Sequence, residues 1–179
     1  DLTLKQTRAY CKLTYLESIP TLDEALAAVI DDTTLEGVML DMKEAPAMQT
    51  TLDIVANRTK LALAKGRSVK MVVDFPDSAV AEAYAAATKP PGVTCMTETS
   101  IEDADKYGCT YFAPRWSRGP MADTVIPAQK RGINVFFWTI EEVEYMNFFI
   151  ESSQPRGMLT DRSPLLFLRA QKYPEFYAP

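Results

Sequence analysis

Three carboxylates each close a short β-branched or aromatic run: Asp41 in Asp41-Met42-Lys43, Asp74 in Asp74-Phe75-Pro76, and Glu98 in Thr97-Glu98. Alternation along an extended chain puts Asp41 and Lys43 on one face, with Leu40 and Met42 on the other. A carboxylate and an ammonium so placed can meet a polar ligand, but spacing alone favours a structural ion pair. Asp41, Asp74 and Glu98 together offer the oxygen ligands that a hard cation prefers. For Asp74 and Glu98 the plainer expectation is that strand-end carboxylates cap the loops that follow them. Trp138 ends another such run and shares a face with Asn134 and Phe136. It reads as core or as a pocket wall, and its place at a strand's end favours the pocket.

The residue counts exclude other chemistries. The chain has no histidine among its 179 residues. It therefore supplies no Ser-His-Asp or Cys-His unit, no HExxH metal site and no imidazole base. A net charge of -5 argues against a nucleic-acid polyanion as partner. No run approaches the ~20 apolar residues of a transmembrane helix, so no transmembrane segment is expected. Cys11, Cys95 and Cys109 are odd in number and lack a CxxC pairing, which predicts buried apolar thiols rather than a disulfide or zinc site.

The elements that must position these residues alternate regularly. The start, around Leu4 to Tyr15, is polar and promises a turn of helix at most. Thr21-Leu22-Asp23-Glu24 forms a capping box that opens a helix with a Leu22, Ala25, Leu26, Val29 and Ile30 stripe. Six strand-then-helix units follow. Strands are expected at 37–43, 69–75, 93–97, 109–114, 133–139 and 156–160, with helices after each, one of them capped by Ser100. With 47% hydrophobic residues and no linker or low-complexity tract, one domain over residues 1–179 is expected. The βα rhythm predicts a parallel sheet, either a barrel or a doubly wound sheet. There is no GxGxxG or P-loop to support a nucleotide-binding version of the latter.

Four stretches resemble one family. Asp1-Leu2-Thr3-Leu4 with Ile19-Pro20-Thr21-Leu22-Asp23-Glu24-Ala25-Leu26 is similar to the DLT and IPTLEE-L approach to the third strand of glycerophosphodiester phosphodiesterases. Leu40-Asp41-Met42-Lys43 resembles their third-strand E-x-K, with aspartate for glutamate. Residues Arg131 to Ile140 resemble the seventh-strand G-x-x-V-x-x-W-T-V, and Gly157 to Pro164 the closing G-I-I-T-D-x-P. The order matches and spans nearly the whole chain.

The resemblance implies an incomplete TIM (β/α) barrel whose six units are the family's third to eighth. The first two, which carry the H-R-G and E-x-D motifs and the catalytic histidines, would precede Asp1, so a fragment or processed product is expected. The implied activity is metal-dependent hydrolysis of glycerophosphodiesters to an alcohol and glycerol phosphate, with Mg or Ca as the divalent cation. By resemblance Asp41 is a metal ligand, Lys43 binds substrate phosphate and Trp138 lines the glycerol side. No residue of this chain is expected to be catalytic, and the chain alone is expected to be inactive. The implied partners are a glycerophosphodiester or glycerol phosphate, and a complementing N-terminal segment or another chain. Glu141 stands where the family has asparagine and places a further anion near the mouth. The alternative is a degenerate, non-catalytic barrel serving a larger assembly, whose tail Tyr173 to Pro179 either docks on a neighbour or folds back.

Overall fold

A computed structural model gives the protein's structure and describes residues 2–11 and 18–174. Among the described residues, six strands alternate with helices after two opening helices: α1 (Leu4–Tyr10), α2 (Leu22–Asp32), β1 (Gly37–Asp41), α3 (Met48–Ala64), β2 (Lys70–Phe75), α4 (Ser78–Ala86), β3 (Val93–Thr97), α5 (Ile101–Tyr107), β4 (Tyr111–Phe112), α6 (Ala122–Lys130), β5 (Asn134–Phe137), α7 (Val143–Ser153), β6 (Gly157–Met158) and α8 (Ser163–Ala170). The strands lie side by side in chain order, every pair parallel. Each crossover carries a helix, and the sheet curls into part of a (β/α) barrel. The incomplete barrel expected from the sequence is thus what the chain forms.

Alternation sorts the side chains into two apolar layers. Outward-facing Phe75, Phe112, Val135 and Phe137 pack against Tyr84, Ala104, Val125, Met146, Phe149 and Ile150 of the helices. Inward-facing Val72, Met96, Tyr111 and Ala113 form a separate cluster joined by Phe136 and Trp138. Leu26 and Ile30 of the predicted α2 stripe are buried against Leu40, Val55 and Met71, and the Thr21–Glu24 capping box is formed. Gly157 is required by a close approach, because a Cβ there would sit 2.4 Å from the Phe136 ring.

Three expectations need correction. The start is two turns of helix rather than one, because Thr3 and Gln6 form a second capping box; residues 12–17 lie outside the described residues, as do residues 175–179 of the tail. Strands β4 and β6 are two residues each; β4 stops short of Pro114, which has no N–H to extend the ladder, and only a single bridge, Arg115 to Trp138, follows it. Cys95 and Cys109 are joined in a disulfide, leaving Cys11 free. The crossover through α5 returns the chain beside β3, so cysteines 14 positions apart come to a Cα separation of 4.5 Å. Among the described residues, no helix is long and apolar enough to cross a membrane.

Two outcomes check this packing. Denatured without reductant, the chain should expose one thiol to a titrating reagent, and three after reduction; three in both conditions would exclude the bridge. Phe137 is fully buried with its ring 4.5 Å from that of Phe149, so Phe137→Ala should lower the unfolding free energy by about 3–5 kcal/mol in a denaturant titration.

Candidate functional site

The carboxyl ends of β1, β2, β3, β5 and β6 surround a cavity of about 410 Å³. Asp41 and Asp74 are register partners on adjacent strands, so their side chains leave the sheet side by side. Glu98 lies one residue past β3, tied to β2 by its backbone N–H donating to the Phe75 carbonyl at 3.4 Å. One oxygen from each of Asp41, Asp74 and Glu98 lies within 4.8 Å of the others. Lys43 reaches back to Asp41, with Nζ 2.6 Å from Oδ1. Trp138, Thr160 and Asp161 line the same cavity. Trp138 is held by its indole N–H, which donates to the Ala113 carbonyl at 2.6 Å, and by Arg115 lying 5.6 Å from its ring centre. It is both a member of the inner apolar layer and a wall of the cavity.

The loop-capping role expected for Asp74 and Glu98 goes to other residues. Asp77 caps α4, accepting from the Val80 N–H, and Ser100 caps α5, accepting from the Asp103 N–H. Asp74 and Glu98 instead face Asp41. The signal was present in the sequence, since acids ending consecutive parallel strands must converge once those strands pair in order. Thr160 and Asp161 carry no local signal of a cavity wall, because their place opposite Asp41 depends on how far the sheet curls. Glu141 is absent from this cavity's wall. Its Oε1 accepts from the Asp161 N–H at 3.0 Å and from the Thr160 hydroxyl at 3.3 Å, and Arg162 lies 3.7 Å from Oε2. Glu141 thus lies beside the mouth, with its charge turned into the β6–α8 loop and paired with Arg162.

Electrostatics single out Asp74. It is 2% exposed, and its Oδ1 is buried without a hydrogen-bond partner. Burial, with the Glu98 and Asp41 charges adding to it, pushes its carboxyl up to about 8. Burial also raises Glu98, against the pull of Lys43. The hydrogen bond to Asp41 is the main cause holding Lys43 above its ordinary value. An orphaned buried oxygen among three converging carboxylates fits a divalent cation that takes oxygen ligands. Asp41, Asp74 and Glu98 are the residues that would hold it.

Solved structures share this architecture. A glycerophosphodiester phosphodiesterase from Parabacteroides distasonis superposes with a TM-score of 0.69 at 16% identity, over 96% of this chain and 73% of its own. A protein from Silicibacter pomeroyi superposes at 0.71 and 16% identity, over 97% and 69%. An Oleispira antarctica phosphodiesterase, solved with its product sn-glycerol-3-phosphate, superposes at 0.64 and 15% identity, over 88% and 64%. No protein-family model and no curated protein matches the sequence. At these identities the likeness is one of fold. The chain has a glycerophosphodiester-phosphodiesterase-like fold, as the sequence motifs led one to expect, and spans 64–73% of those three chains.

The raised Asp74 carboxyl fixes a pH dependence. Its folded value of about 8 lies above the ordinary 3.8, so the cation-free folded state binds the proton more tightly than the unfolded chain. The resulting stabilisation is complete below 3.8 and is lost as pH rises through about 8. Asp74→Asn fixes the neutral form. Above pH 8 without divalent cation it should melt at a higher temperature than the parent, and Mg²⁺ or Ca²⁺ should raise the parent's midpoint more than the variant's. A calorimetric pH series with and without chelator decides this; equal pH profiles would reject the assignment.

Proposed function

We propose that this chain forms the phosphate- and glycerol-facing part of a glycerophosphodiester phosphodiesterase site, within a single barrel domain over residues 1–179. The observation that carries this reading is the meeting of Lys43, Trp138 and the Asp41–Asp74–Glu98 trio around one cavity. In it Lys43 is a point charge for a phosphate oxygen, and Trp138 presents a flat apolar wall to the carbon skeleton of glycerol. Asp41, Asp74 and Glu98 hold a divalent cation, Mg²⁺ or Ca²⁺, which when bound neutralises phosphodiester charge. Glycerol phosphate in the Oleispira antarctica neighbour supports the ligand class.

The chain brings no imidazole to the reaction, so it binds and orients but lacks a proton shuttle. A complementing N-terminal segment or another chain would supply one. Two measurements test the proposal. Isothermal titration with glycerol 3-phosphate in Mg²⁺ or Ca²⁺ should show binding that Lys43→Met weakens by about tenfold or more. Unchanged binding in that variant would refute the site. Incubation with a glycerophosphodiester should release no alcohol from the chain alone and should release it once the complementing segment is added. Turnover by the chain alone at enzyme-like rates would overturn the division of labour.

A further inference from the structure

Glu98 is the member of the carboxylate trio that stands outside a strand, one residue past β3 in the β3–α5 loop. A carboxylate carried on a loop needs something to aim it, and this loop contains a series of side-chain hydrogen bonds suited to the task. Thr97 ends β3 as the register partner of Phe75, and it is fully buried. Its carbonyl accepts from the Ala113 N–H at 2.8 Å, which anchors the start of the loop to the chain leaving β4. Alternation sends residue 98 to the opposite side, where Glu98 lines the cavity. The Thr97 and Thr99 hydroxyls meet at 2.8 Å, and the Thr99 N–H donates to the Thr97 hydroxyl at 3.3 Å.

The Thr99 hydroxyl has one proton, and it goes to Asp103 Oδ2 on α5 at 2.6 Å. Thr97 is therefore the donor to Thr99, and the bonds run one way, from Thr97 through Thr99 to a carboxylate. They end on a charged acceptor, the stronger kind. From another side, Arg118 donates to the Thr99 carbonyl at 3.0 Å. None of these bonds caps α5. Ser100 does that, accepting from the Asp103 N–H at 3.1 Å. The Thr97–Thr99–Asp103 series satisfies no N–H of the helix. It ties the two residues that flank Glu98 to one another and to α5.

We infer that Thr99 and Asp103 are positioning residues for Glu98, keeping its carboxylate turned toward Asp41 and Asp74, where it completes the cation site. The cation clause rests on the reading proposed above; the aim of Glu98 does not, and is tested without a cation. Thr99→Val removes the hydroxyl at nearly constant shape, Thr99→Ser restores it, and Asp103→Ala removes the acceptor while leaving the Ser100 cap. Without divalent cation, three-bond couplings measured by nuclear magnetic resonance should show one χ1 rotamer for Glu98 in the parent and in Thr99→Ser. Thr99→Val and Asp103→Ala should show averaging between rotamers. Calorimetric titration with Ca²⁺ should find the affinity about tenfold weaker in these two variants and within about twofold of the parent in Thr99→Ser. In a Glu98→Gln background, Thr99→Val should change the Ca²⁺ affinity by less than about twofold, whereas a general loosening of the fold would weaken both backgrounds equally. Circular dichroism verifies folding, and if Thr99→Val does not fold, Asp103→Ala carries the same comparisons.

A single Glu98 rotamer in every variant, averaging already in the parent, equal losses in both backgrounds, or a Ca²⁺ affinity unchanged by Thr99→Val and Asp103→Ala would overturn the positioning role. A parent that binds no Ca²⁺, but whose Glu98 couplings respond as expected, would remove the cation reading and leave the aim of Glu98 standing. Ca²⁺ binding by a parent with an averaged Glu98 would do the opposite.

Discussion

Parallel pairing in chain order is the constraint from which the site follows. It puts the carboxyl end of every strand on one rim, so whatever those ends carry must share a small volume. Here they carry like charges. Two full carboxylate charges no more than 4.8 Å apart repel by at least about 3 kcal/mol at an effective dielectric of about 20. The cation in direct contact is Lys43, and its pair with Asp41 is half exposed on both sides, an arrangement contributing about 0–1 kcal/mol. That is too little to balance three anions with one member buried. The rim therefore needs either a proton on Asp74 or a divalent cation among the three oxygens.

How much of this could be read from the sequence depended on the range of the interaction. Features written within one turn of helix or one strand were legible. Thr21 and Glu24 announce α2, and the 37–43 run announces β1 with Asp41 and Lys43 on one face. Features that depend on how the crossovers close were not. Cys95 and Cys109 become neighbours only because α5 returns the chain beside β3. Glu98 carries the same local signal whether it binds a cation or caps a loop, and only the path of the loop turns it toward Asp41. The partners that hold Glu141 lie on the β6–α8 loop and meet it only in the fold. The common cause is that spacing fixes which face a side chain leaves, but not which other strand end it meets.

The two apolar layers show why the rim is rigid enough to hold such a cluster. The central strands β2 to β5 are clamped from outside by helices and from inside by one another's side chains. Trp138 belongs to both inner layer and cavity wall, so the aromatic surface facing a ligand is anchored through the Ala113 carbonyl rather than carried on a loop. Gly157 serves the same end, giving the Phe136 ring room to lie flat across β6. Substituents at the rim thus inherit their positions from core packing, which holds side chains in few rotamers.

The same electrostatics limit what the rim can do unaided. Asp74 holds a proton up to about pH 8 only while no other positive charge lies among the three oxygens. A bound divalent cation replaces that proton, and Asp74 then ceases to be a proton donor. Cation binding and acid catalysis by the cluster are therefore mutually exclusive. Lys43, held protonated by Asp41, is no better a base at neutral pH. Under the proposed reading, the group that moves a proton during hydrolysis comes from outside the trio, and the chain offers no histidine for that role.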